Sequence, residues 1–501
     1  MWTRLAIAAL AAGLCAPAHA NEPLSAIDWL SNSVAIPPVT PDASISPAGP
    51  IEDISVAPLG APQLDAVGLL PVSVTGLPAD LWQESSGREL SRQIGALPPD
   101  LLPSMQRLLY TLLLAELDAP IGDENALFLA RLDKLLALGA LDQAQELLER
   151  AGPTNPALFR RWFDVSLLTG QEDRACAAMR AAPGIAPTFP ARIFCLARGN
   201  DWNAAALTLE TGNALGFITE AEDALLIRFL DPEFADFAEP LDVPHRPSPL
   251  VFRMYEAIGT PVATGHLPLA YAQADLRSIT GWRGQLEAAE RLARSGAIAP
   301  NRLLGVYSAR LPSASGGVFD RVEALQALDA AVLGGDADMV AMALPPAWAA
   351  MREAGLEAAF ASIYGERLAR IALEGDAATL ALWLGLLSPS YETVAAAFEE
   401  NASARFLISV ARGLPTEPDD ARETAITAGF AETTELDLQL KAMLDEGRLG
   451  EAILQAINRI AAGQDGDLAD LTQGLAVLRR VGLEEAARRA AIEVLILGPE
   501  A

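Results

Sequence analysis

The stretch Gly139-Ala140-Leu141-Asp142-Gln143-Ala144-Gln145-Glu146-Leu147-Leu148-Glu149-Arg150-Ala151 decides the fold. It starts with Gly, places an apolar residue two positions later, then Ala, Leu and Ala at offsets of five, nine and twelve. Glycine suits the left-handed backbone that ends a helix. The residue at +2 can fill the turn into a second helix. Sites separated by four and then three residues share one face of that helix. Small side chains there let helices approach closely, and the larger one between them fills the gap.

The pattern returns as Gly170, Glu172, Ala175, Met179, Ala182 and as Asn200, Trp202, Ala205, Leu209, Gly212. It recurs as Gly284, Leu286, Ala289, Ala293, Gly296; as Gly447, Leu449, Ala452, Ala456; and as Val481, Leu483, Ala486, Ala490. Fixed offsets repeated along a chain are the mark of repeat architectures. The small-large-small second helix resembles the tetratricopeptide repeat, and Pro156 matches that family's terminal proline. Leading residues are spaced by 31 (139 to 170), 30 (170 to 200) and 34 (447 to 481), against a family period of about 34. The family's first-helix Trp and Tyr are largely missing. The resemblance implies an all-α, irregular α-solenoid of antiparallel helix hairpins. Gly139, Ala144, Leu148, Gly170, Ala175, Gly284, Ala289, Ala293, Gly447 and Ala452 are its expected packing residues.

Of 501 residues, 51% are hydrophobic and only 6% aromatic. Such a core is built mainly from Ala and Leu, which suits closely packed helices. The net charge of −29 repels nucleic acid and anionic lipid. Residues 1–20 read as a secretory leader: Arg4, the apolar run Leu5 to Cys15, then Ala18-His19-Ala20. Cleavage before Asn21 and a periplasmic location are expected, with no membrane span in the mature chain. Two cysteines, Cys176 and Cys195, then remain in a compartment that permits disulfides. They fall on consecutive antiparallel helices, so a bridge between them is expected.

Residues 21–80 contain ten of the 35 prolines and no Lys or Arg. This composition predicts an extended, low-complexity tether. Within it, Leu24, Ile27, Leu30 and Val34, with Trp29 beside them, have helical spacing and form a candidate docking segment. Ile54-Ser55-Val56 and Val72-Ser73-Val74 alternate as short strands would. Each could dock on a partner or fold back on the chain's own helices. Pro-rich and acidic breaks at Asp231 to Gly265 and Leu414 to Leu436 divide the rest into helical segments 81–245, 246–415 and 416–501.

Chemistry-bearing motifs are sparse. The sequence contains no H-E-x-x-H, C-x-x-C, EF-hand, G-x-S-x-G or Walker pattern. His245, in the Pro-rich break, is read as a surface-loop residue, and His266, which follows a Gly, as a capping or packing residue. The acidic pairs Glu399-Glu400, Asp419-Asp420 and Glu484-Glu485 are read as solvated faces. Glu84-Ser85 does not fit the lytic transglycosylase pattern in position or surroundings. No catalytic, cofactor-binding or metal residue is expected. The sequence therefore points to an exported helical-repeat adaptor that binds another protein, similar in type to accessory factors of envelope or flagellar-motor assembly. A peptidoglycan-acting enzyme and a passive structural envelope protein are the alternatives.

Overall fold

The computed structural model describes residues 63–122, 125–231, 233, 240–398 and 404–498. The leader, the docking segment Leu24 to Val34, Ile54-Ser55-Val56 and the Glu399-Glu400 pair lie outside the described residues. Among those described, the chain is all-helical, with two isolated β-bridges, Leu70 to Ala115 and Ser86 to Ile121.

Helices of seven residues or more are numbered in chain order. The first group is α1 (Gly87–Ala96), α2 (Pro103–Leu114), α3 (Ala126–Ala137), α4 (Leu141–Ala151), α5 (Pro156–Thr169), α6 (Glu172–Ala181), α7 (Phe189–Arg198), α8 (Trp202–Ala214) and α9 (Glu220–Leu230). Next come α10 (Pro249–Ala257), α11 (Trp282–Arg294), α12 (Pro300–Tyr307), α13 (Val318–Gly334), α14 (Ala337–Glu353), α15 (Glu357–Leu368), α16 (Gly375–Leu387) and α17 (Tyr391–Ala397). The last are α18 (Arg405–Ala411), α19 (Ala421–Phe430), α20 (Leu438–Asp445), α21 (Leu449–Gln464), α22 (Leu468–Arg480) and α23 (Glu484–Leu497).

Local chemistry explains many of the boundaries. Asn155 caps α5 by accepting the Leu158 N–H, and Pro156 follows at the first helical position. Thr219 and Glu222 form a reciprocal capping box on α9. Left-handed Gly152, Gly170 and Gly335 end α4, α5 and α13.

Sequence neighbours pair as hairpins: α5 with α6, α6 with α7, α7 with α8, α13 with α14, α15 with α16, and α21 with α22. The packing also reaches far beyond neighbours, whereas in a one-dimensional stack each unit touches only the next. Helix α10 returns onto α5. At the far end, α21 packs on α1 and α23 packs on α2, so the C-terminal helices close against the N-terminal ones. One cluster of buried apolar side chains runs from Leu77 to Ile496, across the expected divisions near 245 and 415.

Two expectations for the N-terminal tether are corrected. From Gln63 onward the chain is packed: Leu77 is buried, and the Leu69 and Leu70 N–H groups both donate to the Leu114 carbonyl. Val72-Ser73-Val74 forms a helical turn, Val72–Thr75, closed by left-handed Gly76, and no strand. Its alternation gives no burial pattern, because neither Val72 nor Val74 is covered.

Candidate functional site

The repeat residues fall mostly at hairpin joints. Gly139 lies between α3 and α4 with φ +74°. A Cβ there would sit 2.8 Å from Leu292 and 3.0 Å from Leu269, so crowding adds to the left-handed backbone in favouring glycine at this joint. Its carbonyl accepts the Gln273 side chain at 2.7 Å, and Ser295 Oγ donates to the adjacent Leu138 carbonyl at 2.9 Å. Ala144 and Leu148 are fully buried behind it. Gly170 (φ +77°), Asn200 (φ +61°) and Gly447 (φ +76°) take the same left-handed conformation, followed by buried Ala175, Ala205 and Ala452. At Gly212 a Cβ would lie 2.5 Å from Ile218, which explains the small residue at +12 in that copy.

The fourth copy is shifted from its expected role. Gly284 is the third residue of α11, which starts at Trp282 behind the extended Gly281, so it terminates nothing. Ala289 is buried and Ala293 partly buried as expected, but the left-handed glycine is Gly296, after the helix. The second copy departs chemically. Glu172 occupies the apolar +2 site, is buried, and pairs with Arg253 at 2.8 Å and Arg198 at 3.4 Å.

Cys176 on α6 and Cys195 on α7 lie at disulfide distance, with sulfurs 1.98 Å and Cα atoms 4.9 Å apart. Both are buried. Arg198, one turn beyond Cys195, also bonds Asp173 on α6, so the α6–α7 hairpin is held covalently and by ion pairs.

The two described acidic pairs serve the fold. Asp420 caps α19 by accepting the Glu423 N–H, and Glu423 accepts the Asp419 N–H. Glu484 bonds Arg479 and Arg488, and Glu485 bonds Arg489. His245 and His266 are exposed. Glu84 is exposed while the neighbouring Ser85 is buried. Among the described residues, no group of three or more His, Cys, Asp and Glu converges to hold a metal. None of the described helices is long and apolar enough to cross a membrane. A cleft of about 170 Å³ between α3 and α11 is lined by Asp100, Leu138, Leu269, Arg291, Arg294 and Ser295. That is below the ~300–1,000 Å³ of small-molecule sites. Its Arg291 is occupied by the Thr264 and Leu267 carbonyls.

Two buried acids have strongly raised pKa values. Burial pushes Glu493 up to about 7, against the pull of the Ser104 hydrogen bonds and of Arg107 and Arg489. Burial likewise raises Asp164 to about 7, opposed by Arg160 and Arg161. Neither lines an open site.

Two features escape sequence reasoning. Buried Arg131 on α3 donates to the Leu113, Ala115, Val67 and Asp65 carbonyls, while the Asp65 carboxylate caps α3 through the Asn125 and Phe128 N–H groups. This latch fixes the point where the N-terminal segment joins the body. The second is an uncovered apolar face on the α13–α14 hairpin: Leu333 is 71% exposed, Met339 51% and Met342 72%. Spacing of Met339, Met342, Pro346 and Ala349 by three, four and three residues would have marked a face, but it would not have shown which way the face turns. Comparison with protein-family models, with curated proteins and with solved structures finds no match.

Proposed function

We propose that this chain is an exported, periplasmic helical scaffold that binds another protein, in the manner of an accessory factor for envelope assembly, flagellar-motor assembly included. The observation that carries the reading is the apolar face of the α13–α14 hairpin. Large Met and Leu side chains stand in solvent on a chain of net charge −29, and exposed apolar patches rimmed by polar groups mark sites of association. The buried cysteine pair supports export, because disulfides persist in oxidising compartments. The glycine-jointed hairpins α3–α4 and α5–α6 support a tetratricopeptide-like stack, bent so that its ends meet. The test is affinity capture of the full chain from an envelope extract at low salt, with a peptidoglycan zymogram alongside. A stoichiometric protein partner with no clearing is expected. Clearing of the gel would replace the scaffold by a cell-wall enzyme, and no partner in several growth states would overturn it.

A further inference from the structure

Helix α14 is packed on one side only. Val340, Leu344, Ala347, Trp348 and Met351 form its buried face, and Trp348 lies 6.3 Å from the Trp383 ring of α16. On the opposite side Met339, Met342, Pro346 and Ala349 are all exposed. Leu333, just before the left-handed Gly335 turn, lies at the same end of the hairpin, and Ala327 and Ala330 continue the exposed apolar side of α13. A surface helix normally turns charge outward; this one keeps its charge to the ends.

The backbone adds a polar element. Pro345 and Pro346 lie inside α14. Proline has no N–H, so the carbonyls of Ala341 and Met342 receive no donor from the next turn. Within the hairpin the charge has one sign: between Arg321 and Arg352 there is no Lys or Arg, and there are four acids, Glu323, Asp329, Asp336 and Asp338. Asp329 is turned inward to accept the Tyr364 hydroxyl at 3.0 Å, and Asp336 caps α14.

Resting on the scaffold reading above, we infer that this face receives an amphipathic helix of a second protein whose apolar residues are flanked by Lys or Arg. The apolar side would cover Met339, Met342 and Leu333, and the cations would meet the exposed carboxylates of Glu323 and Asp338. Charge argues against the other occupants. A second copy brings the same −29, and residues 21–62 of this chain contain no Lys or Arg.

The test uses a short synthetic Leu/Lys peptide patterned as an amphipathic helix, with a scrambled peptide of equal composition and a Leu/Glu analogue as controls. Binding is measured at physiological salt by calorimetry and mapped by backbone hydrogen exchange, on the full chain and on Met342→Asp. Met342 is exposed, so an unchanged melting temperature is expected to show that the variant folds. Protection confined to residues 327–349, with roughly tenfold weaker binding to Met342→Asp and to the scrambled peptide, supports the site. Protection elsewhere, or equal binding to Met342→Asp, overturns it. Self-association abolished by Met342→Asp would overturn it in favour of a second copy. Faster Met339 and Met342 oxidation on deleting residues 21–62 would overturn it in favour of the chain's own N-terminus. Failure of the scaffold reading is distinct: the peptide would still bind here while no envelope protein is captured. Capture undiminished by Met342→Asp would retain the scaffold and remove this surface.

Discussion

One oxygen of the Glu493 carboxylate accepts both the backbone N–H and the hydroxyl of Ser104, at 2.8 and 2.6 Å, across 389 residues of chain. The C-terminal helix α23 thereby caps α2 near the N-terminus. The pKa of Glu493, raised to about 7 by burial, sits above its unfolded value near 4.5. The folded state therefore binds the proton more tightly, and stability falls as pH rises from about 4.5 to about 7. The Glu493→Gln variant keeps an acceptor for Ser104 without the charge. It is expected to melt close to wild type at pH 5 and above it at pH 8. Equal pH dependence of the two melting curves would show that Glu493 is not the titrating group.

The Asp65–Arg131 latch makes a graded prediction. Asp65→Ala removes the side-chain cap of α3 and should cost about 1–2 kcal/mol. Arg131→Met leaves several buried carbonyls without donors and should cost more, on the order of 3 kcal/mol. Urea denaturation measures both, and limited proteolysis should cut near residues 63–76 faster in each variant.

Replacing Cys176 and Cys195 by Ala tests the covalent hairpin. A loop of 19 residues corresponds to about 3 kcal/mol of stability in the chain-entropy model. The wild type purified from an oxidising compartment should show no free thiol under non-reducing mass analysis. Two free thiols, or a double variant as stable as wild type, would remove the bridge from the account.

Two glycines of the repeat pattern should respond differently. Gly139→Ala places a Cβ on left-handed backbone and against Leu292 and Leu269, so a loss of about 1–3 kcal/mol is expected. Gly284 has ordinary helical backbone, and a Cβ would meet only the Thr280 methyl at 2.9 Å. Its change to Ala should be near neutral, because helix propensity offsets the contact by up to about 1 kcal/mol. Equal losses at the two positions would restore Gly284 as a joint.

This contrast shows how far the sequence could be read. Gly139, Gly170 and Gly447 were legible because local backbone demands glycine or another left-handed residue at a hairpin joint. Gly284 was not, because the same spacing arises when a helix simply starts two residues earlier, at Trp282. Glu172 stands where an apolar residue was expected, since its partners Arg198 and Arg253 come from elsewhere in the chain. The closure of α23 on α2 and the Arg131 latch depend on long-range contacts that periodicity does not encode. The apolar face of α14 was hidden by Pro345-Pro346, a pair that ordinarily argues for the end of a helix.

The central proposal is that this chain is an exported scaffold that holds a protein partner. Native mass measurement of the full chain, isolated gently from the envelope under low salt, tests it most directly. The account predicts a defined complex with one basic partner in fixed stoichiometry, and its loss in Met342→Asp. A chain that runs at its own monomer mass in every growth state would contradict the account.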